Sequence, residues 1–134
     1  MPADYTYDYS IIRVVPRVDR GEQINAGIVL SCPDADFLDA KIALDERALL
    51  AIDPTADLDA VRANLEVFPV VCRGGEDAGP IGQLAPRARF RWLVAPRSTV
   101  IQPSPVHTGR TADPAACLDH LVNTVVRRSS ADGR

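Results

Sequence analysis

An almost wholly apolar run occupies residues 24–32, between a turn around Gly21 and a polar loop that begins at Pro33. A run of this length cannot cross a bilayer, because a membrane-spanning helix needs about 18 apolar residues. Short apolar runs bounded by turn residues are typical of strands that are buried on both faces. The run therefore predicts a central β-strand, and the segments on either side are the candidates for its neighbours.

Two flanking segments have strand character, residues 5–18 and residues 37–44. The first is rich in aromatic and β-branched residues, which favour strands, and its three tyrosines fall on one face. Pro16 should end its regular pairing or lie at a sheet edge. Because short turns join the three segments, we expect them to form an antiparallel meander. A fourth strand is expected at residues 98–103.

Helical patterns follow the first three strands. In residues 56–68 the apolar side chains recur at intervals of three and four, which is helical spacing, and Pro69 should end or kink this helix. Residues 86–94 fit two structures: alternate arginines give strand spacing, whereas Pro86 at a first helical turn favours a helix. We assign the helix, because Pro96 follows and can end it.

The order of these elements predicts an α+β fold. Its antiparallel sheet has three to four strands (5–18, 24–32, 37–44 and 98–103), and its helices (46–52, 56–68, 86–94 and 114–128) pack mainly on one face of the sheet. With 134 residues the chain has the size of one domain, which we place at residues 1–128. Residues 129–134 are expected to be a frayed tail.

The N-terminus lacks the basic start and apolar core of a signal peptide, so a cytoplasmic protein without membrane attachment is expected. The three cysteines, Cys32, Cys72 and Cys117, are widely spaced and form no Cys-x-x-Cys pair. Neither a zinc site nor a thioredoxin-type motif is indicated, and we expect reduced, mostly buried thiols. No ligand spacing predicts a metal or a cofactor.

Charge is distributed unevenly along the chain. Residues 1–72 contain six basic and 13 acidic residues, whereas residues 73–110 contain six arginines and two acidic residues. A protein with a pI of about 5.3 is not expected to coat nucleic acid generally. The basic segment suits a local anion site or an edge that docks on an acidic partner. Nucleic-acid binding, with Phe90 or Trp92 stacking on bases, is a weaker alternative.

Six polar residues are candidates for a site that binds an anion or another ligand: Arg13, Glu22, Asn25, Arg97, Ser98 and His107. Arg13 interrupts an apolar strand run, where a charge needs a salt-bridge partner, such as Asp8 or Glu22, or an anionic ligand. In an enzyme or binding protein for a phosphorylated or nucleotide-like anion, Arg13, Arg97 and His107 would bind the anion and Glu22 would be the general base. This hypothesis requires Arg13 and His107 to lie on the same side of the sheet.

No catalytic residue is assigned. The glycine-rich segment 74–82 lacks the Gly-Lys-Ser/Thr ending of a phosphate-binding loop and is expected to be a surface loop. Gly-x-Ser-x-Gly is absent, and no acidic residue stands at a spacing that would orient His107. The sequence therefore favours a protein that is not an enzyme, although an enzyme is not excluded.

The basic segment is the candidate surface for a protein partner, through Arg87, Arg89, Arg91, Trp92 and Arg110. Arginine and tryptophan are enriched among the residues that dominate binding energy at protein interfaces. The local structure matters here, because a strand would put Arg87, Arg89 and Arg91 on one face, whereas a helix would leave only Arg87 and Arg91 together.

Three stretches of the chain together resemble a known family. They are Tyr7-Asp8-Tyr9-Ser10-Ile11-Ile12-Arg13-Val14-Val15-Pro16, Gly21-Glu22-x-x-Asn25-x-Gly27-Ile28-Val29-Leu30, and Phe90-Arg91-Trp92-Leu93 followed by Arg97-Ser98-Thr99-Val100-Ile101-Gln102. From Tyr5 to Val126 the sequence is similar to a small bacterial family catalogued as domain of unknown function 3037. That family has no established reaction, so the resemblance assigns no catalytic residue. It implies a protein partner, a kinase resembling the HipA toxin, and hence a cytoplasmic interaction or accessory module in a toxin-antitoxin-like setting.

Overall fold

The computed structural model describes residues 4–97 and 99–127. This part of the chain contains one antiparallel sheet with the strand order β3-β2-β1-β4, and β5 pairs with β1 beside β4. The strands are β1 (Tyr5–Val14), β2 (Ile24–Cys32), β3 (Phe37–Ile42), β4 (Ile101–Pro103) and β5 (His107–Thr111). Because β2 lies between β1 and β3, the central strand predicted at residues 24–32 is confirmed.

In the described part of the chain four α-helices accompany the sheet, and the last continues into a π-helical turn. They are α1 (Glu46–Ile52), α2 (Leu58–Arg73), α3 (Pro86–Val94) and α4 (Pro114–Leu121), followed by the turn Val122–Val126. Asp45, Asp57 and Asp113 cap α1, α2 and α4, because each carboxylate accepts a hydrogen bond from the backbone N–H three residues later. Residues 86–94 are a helix, as assigned from Pro86 and Pro96.

The helices pack mainly on one face of the sheet, as predicted. On that face Ile12 and Val14 of β1 share a buried cluster with residues of α1, α2 and α3. On the opposite face, Ile28 and Leu30 of β2 pack with α4 and the π-helical turn in a smaller cluster. The α+β architecture is confirmed, and the described residues form five strands instead of three to four.

A bulge interrupts β2. The consecutive residues Ile12 and Arg13 of β1 pair with Gly27 and Asn25, so Ala26 has no partner on β1. A Cβ atom on Gly27 would lie 2.6 Å from a carbonyl oxygen of β3, so only glycine fits at this position. The extra residue changes which face the neighbouring side chains occupy and keeps both ends of β2 buried.

Three strands are shorter than predicted. β1 ends at Val14 and not at residue 18, because Pro16 has no N–H to donate and a turn closed by Gly21 follows it. β3 ends at Ile42 and not at residue 44, just before the capping Asp45 starts α1. β4 begins at Ile101 and not at residue 98.

The second helix differs from its predicted range, 56–68. It begins at Leu58, continues through Pro69 and ends at Arg73. Proline inside a helix costs about 3 kcal/mol, because it lacks one hydrogen bond and crowds the preceding turn. Val71 and Cys72 are nevertheless buried, and burying such side chains stabilises the last turn enough to offset that cost.

The end of the last helix also differs from the predicted range, 114–128. The helical conformation ends at Val126, and Arg127 is already extended. The backbone N–H of Arg127 donates to the carbonyl oxygen of Val122, which closes the π-helical turn. The tail predicted at residues 129–134 lies outside the described residues, as does residue 128.

β5 was not predicted from the sequence, which indicated a loop at residues 104–109. Its residues are exposed or half-buried, so no apolar alternation marks it as a strand. It forms because it pairs with the tyrosine-rich half of β1, where the Tyr7 ring lies against Gly109. A Cβ atom on Gly109 would lie 2.6 Å from the Tyr7 Oη atom.

None of the helices in the described part of the chain has the length and apolar character that crossing a bilayer requires. The three cysteines are free thiols: Cys32 and Cys72 are buried, and Cys117 is half-buried. This agrees with the expectation of mostly buried thiols.

Candidate functional site

A groove runs between α2 and the β4 edge of the sheet, and we call it the α2–β4 groove. It consists of three adjoining clefts of about 170, 390 and 520 Å³. Asn64 and Val100 line both the first and the second cleft, and Arg97 lines both the second and the third. Because neighbouring clefts share lining residues, the three follow one another along this side of the molecule.

One wall of the first two clefts is a stripe formed by α2 and its cap residue Asp57. Asp57, Ala60, Asn64 and Val67 recur at intervals of three and four residues, so they lie on one side of the helix. The opposite wall comes from the segment before β4 and from the end of α3. The groove therefore exists because α2 and α3 pack on the same face of the sheet beside its β4 edge.

Arg97 lies at the junction of the second and third clefts. Its guanidinium donates hydrogen bonds to the carbonyl oxygens of Trp92, at 2.9 Å, and Leu93, at 3.3 Å, at the C-terminal end of α3. A cation at this position also interacts favourably with the helix dipole. The guanidinium carbon lies 5.4 Å from the centroid of the Trp92 ring and 6.0 Å from that of Phe68. These contacts fix the position of the positive charge.

Arg13 lines the third cleft together with Arg97. Its Nε atom donates to the carbonyl oxygen of Gln102 at 3.1 Å, and one terminal nitrogen donates to that of Pro103 at 3.0 Å. The salt-bridge partners considered from the sequence are engaged elsewhere, since Asp8 pairs with Arg87 and Glu22 pairs with Arg20. The partners of Arg13 are thus carbonyl groups of β4, and its guanidinium is half-buried at the sheet edge.

The other candidates for the anion site do not line this cleft. Glu22 is exposed in the β1–β2 turn, with an oxygen 2.8 Å from Nε of Arg20. Asn25 donates to the carbonyl oxygen of Val125 at 3.1 Å, and so fastens the π-helical turn to β2. Ser98 lies outside the described residues.

His107 lies on the same face of the sheet as Arg13 but at a distance from it. It pairs with Tyr9 across the β1–β5 ladder, and the two rings stack with centroids 5.1 Å apart. Tyr9 precedes Arg13 by four residues on β1, which corresponds to about 13 Å along a strand. The structure therefore brings Arg13 and Arg97 together and leaves His107 outside the cleft that they line.

Two of the candidate partner-surface residues point into the protein. Arg87 donates to Oγ of Ser31 at 3.0 Å and to the Asp8 carboxylate at 2.5 Å, so it ties α3 to the sheet. Arg89 donates to the carbonyl oxygens of Val71, at 2.8 Å, and Cys72, at 2.6 Å, and so caps the C-terminal end of α2.

The remaining partner-surface candidates are exposed at two separate places. Arg91 and Trp92 lie at the end of α3, and 40% of Trp92 is accessible to solvent at the mouth of the groove. Arg110 lies on β5 and donates to the carbonyl oxygen of Asp4 at 3.3 Å. The predicted surface is therefore divided, and only its Arg91–Trp92 part adjoins the groove.

Sequence reasoning missed several groove residues. Val67 and Val106 are exposed beside Trp92 and Arg97. Val67 breaks the polar side of the α2 pattern, and this misplaced apolar residue is the signal that could have identified it. No sequence pattern marks Val106 as a groove residue. It lies between β4 and β5, so its position depends on how these two strands pair with β1.

Asp8 is a half-buried carboxylate of β1 that lines none of the three clefts. It accepts hydrogen bonds from Oγ1 of Thr108, at 2.6 Å, and from Arg87. Burial raises the pKa of this carboxyl, but the hydrogen bonds from Thr108 and Arg87 outweigh burial and hold the pKa below its usual value. Asp8 therefore joins β1, β5 and α3 as an anion at neutral pH.

Two buried thiols and a half-buried phenol resist ionisation. Burial raises the pKa of Cys72 to about 12, and burial together with a hydrogen bond to Cys117 raises the pKa of Tyr7 to about 12. Burial also raises the pKa of Cys32. Since the thiolate is the nucleophile, these raised pKa values disfavour nucleophilic chemistry at Cys32 and Cys72. Within residues 4–97 and 99–127, no group of three or more His, Cys, Asp or Glu side chains is placed to hold a metal ion.

No curated protein and no solved structure matches the chain. A family model matches residues 9–126 of the 134 residues, and its description is "Protein of unknown function (DUF3037)". The match extends from β1 to the last residue of the π-helical turn, so it contains the groove and both arginines that line its third cleft. The resemblance stated from the sequence is confirmed, and the chain belongs to the DUF3037 family.

Proposed function

We propose that the protein is an interaction module that binds a protein partner at the α2–β4 groove. The observation that carries this proposal is the exposed Trp92 ring beneath the Arg97 guanidinium, at the junction of two clefts. Tryptophan and arginine are the side chains that most often dominate binding energy at protein interfaces. Here their geometry is held in place by the end of α3, so little order has to be gained on binding.

Exposed apolar side chains support the same surface. Among the described residues, five large apolar side chains are exposed, and three of them, Val67, Trp92 and Val106, line the groove. Single exposed apolar residues are ordinary, whereas several that gather along one depression are typical of interaction sites. Of the partner surface predicted from the sequence, Trp92 lines the groove, and Arg97, predicted as a residue of the anion site, lies beside it.

The charge of the groove favours an acidic partner at the Arg97 end. Arg13 and Arg97 line the third cleft, and no described residue that lines the second or third cleft is a carboxylate. The partner that we propose is a HipA-like kinase, in a bacterial cytoplasm and in a toxin-antitoxin-like setting, as the family resemblance implies. The protein would then act as an accessory module of that kinase and not as an enzyme.

Binding of a purified HipA-like kinase, measured by isothermal titration calorimetry, tests this proposal. We expect Trp92→Ala to weaken binding by about 30-fold, since removing a central tryptophan typically costs about 2 kcal/mol. Arg110→Ala is the matched control, because Arg110 lies away from the groove on β5, and it should bind like the wild type. Failure of the wild-type protein to bind contradicts the kinase as partner, and equal binding by Trp92→Ala contradicts the groove as the surface.

A second candidate function is binding of a phosphorylated or nucleotide-like anion, and one observation favours it. Arg13 and Arg97 line the same cleft, and guanidinium groups suit phosphate oxygens. His107 lies outside the cleft, so this candidate depends on the two arginines. Titration of the protein with pyrophosphate and with ATP tests this candidate. If the protein binds these anions, Arg13→Gln should raise the dissociation constant and His107→Ala should leave it unchanged. The absence of saturable binding contradicts anion binding.

A further inference from the structure

We infer that the α2–β4 groove accepts an extended segment of a protein partner that has a basic residue at one end, an apolar residue in the middle and an acidic residue at the other end. This inference deepens the proposed function and rests on it, because it names the chemistry of the segment that the groove recognises. The groove has opposite charges at its two ends, and this polarity carries the inference.

The first cleft forms the acidic end. Asp53 and Asp57 both line it, beside Thr55. One oxygen of Asp53 accepts hydrogen bonds from Thr55, and one oxygen of Asp57 accepts the capping bond from Ala60, which leaves the second oxygen of each carboxylate outside these contacts. Two carboxylates at one end of a groove attract a lysine or arginine side chain.

The third cleft forms the basic end. A guanidinium has five N–H donors, and the contacts within the described residues use Nε and one terminal nitrogen of Arg13 and one terminal nitrogen of Arg97. Within residues 4–97 and 99–127 the remaining donors of the two arginines have no acceptor, so they can bind a carboxylate. Because the backbone contacts already fix both side chains, a carboxylate that enters the cleft meets charges that are in place.

The second cleft is the apolar middle of the groove. Val67, Phe68 and Trp92 line it, with Asn64 at its boundary with the acidic end. The guanidinium carbon of Arg97 lies 6.0 Å from the centroid of the Phe68 ring. From the cap residue Asp57 to Phe68 the helix rises over eleven residues, or about 16 Å. An extended chain covers that distance in about five residues, so the basic and acidic residues of the segment should be about four to six positions apart.

Side chains and not backbone pairing should hold the segment, because the outer edge of β4 is closed. Oγ1 of Thr99 donates to the carbonyl oxygen of Ile101 at 3.0 Å, and Arg13 donates to that of Pro103. Pro103 has no N–H to offer. An added strand would find these carbonyl groups occupied, so recognition at this groove depends on the charged ends and the apolar middle.

Selection of random decapeptides displayed on phage, against the immobilised full-length chain, tests the inference. We expect enriched peptides in which one basic and one acidic residue flank an apolar residue at the stated spacing. Asp53→Asn combined with Asp57→Asn keeps the acceptor oxygens of both side chains and removes their charge, so it should abolish only the preference for the basic residue. Arg97→Gln should abolish only the preference for the acidic residue, and Arg97→Lys should restore it in part.

The affinity of one enriched peptide for the wild type and the variants then measures how much each charged end contributes to binding. Fluorescence anisotropy should show binding about tenfold weaker for Arg97→Gln, which loses a charge-assisted hydrogen bond, and unchanged for the control Arg110→Gln. The inference is overturned if no peptide is enriched. It is also overturned if the charge preferences of the enriched peptides remain the same in the Asp53/Asp57 double variant and in Arg97→Gln. If Trp92→Ala abolishes binding of the kinase while the peptides show no charge order, the proposed function stands and only this inference fails.

Discussion

Arginine side chains connect elements of this protein through backbone carbonyl groups. Arg13 reaches β4, Arg89 caps α2, and Arg97 caps α3, each by donating to two or more main-chain oxygens. A guanidinium suits this role, because it holds several donors in one plane and stays charged. An arginine-rich segment is therefore not by itself a binding surface, and only the arginines with spare donors beside a cleft are candidates to bind a ligand.

The contrast between Arg89 and Arg91 gives a prediction at the level of single residues. Arg89→Gln should lower the free energy of unfolding by about 1–3 kcal/mol, because the last carbonyl groups of α2 lose their donor. Arg91 is exposed on the same helix, and Arg91→Gln should change stability by less than about 0.5 kcal/mol. Urea unfolding followed by circular dichroism measures both values, and equal values for the two variants contradict the assigned role of Arg89.

Asp8 gives a prediction about pH. Because its pKa in the folded protein lies below its usual value of about 3.9, it contributes stability above pH 4 that is lost as the pH falls through the folded pKa. Asp8→Asn should lower the free energy of unfolding at pH 7 by about 1–2 kcal/mol, because the half-exposed Arg87 loses its charged partner.

The pH dependence separates this effect from a general loss of packing. Between pH 7 and pH 3 the wild type should lose more stability than Asp8→Asn does, as measured by urea unfolding at each pH. Asp34→Asn, at an exposed carboxylate, is the control and should follow the wild type. If the free energies of unfolding of the wild type and of Asp8→Asn fall in parallel as the pH is lowered, the assigned role of Asp8 is contradicted.

At the level of elements, β4 and β5 behave as one strand that is broken at its centre. Both pair with β1, and between them the backbone N–H of Ile11 donates to Oγ of Ser104 at 2.8 Å in place of a ladder bond. Prolines at 103 and 105 explain the break, because proline cannot donate to a ladder. The break turns Val106 toward the third cleft, so the irregular segment is what shapes the basic end of the groove.

The attachment of β5 depends on Gly109, and Gly109→Ala tests it. A Cβ atom there would overlap the Tyr7 ring, so we expect a loss of about 1–3 kcal/mol in the free energy of unfolding. In a double-mutant cycle, Tyr7→Leu should remove most of the added cost of Gly109→Ala, because it removes the ring that clashes. Simple additivity of the two changes, measured by urea unfolding, argues against this contact.

At the level of the whole molecule, the sheet separates two cores of different size. The larger lies under α1, α2 and α3, and the smaller lies under α4 and the π-helical turn. Polar contacts fasten the smaller layer at two points, through Asn25 and through the ion pair of Lys41 with Asp119. A layer with few buried side chains and few ties opens more readily than the rest of a fold.

Native-state hydrogen exchange tests this difference between the layers. Asn25→Ala should raise the exchange rates of backbone amides at residues 114–127 and leave those of β2 nearly unchanged, because it removes a tie of the smaller layer alone. Asn64→Ala, at an exposed position of the groove, is the control and should change neither set. A uniform rise across the sheet contradicts the separation of the two layers.

The candidate site was predictable in part. Arg13 stands out because it interrupts an apolar strand, and Arg97 because it follows a helix that a proline ends. That they share a cleft follows from the pairing of β1 with β4, which joins residues about 90 positions apart and which no local pattern indicates. His107, predicted in the same site, lies outside the cleft because β5, which has no strand pattern of its own, carries it to the Tyr9 end of β1.

Local physical chemistry determined most elements of this protein, and β5 is the exception because it forms by pairing with β1. The apolar run of β2, the periodic stripe of α2 and the capping aspartates all act within a few residues, so the sequence by itself predicts an α+β chain with a central second strand. Only the tertiary structure decided which elements meet. Contacts between distant segments form the groove and its charged ends, and they direct Arg87 and Arg89 into the protein. Local preference leaves the positions of these side chains open, and packing and long-range strand pairing then set them.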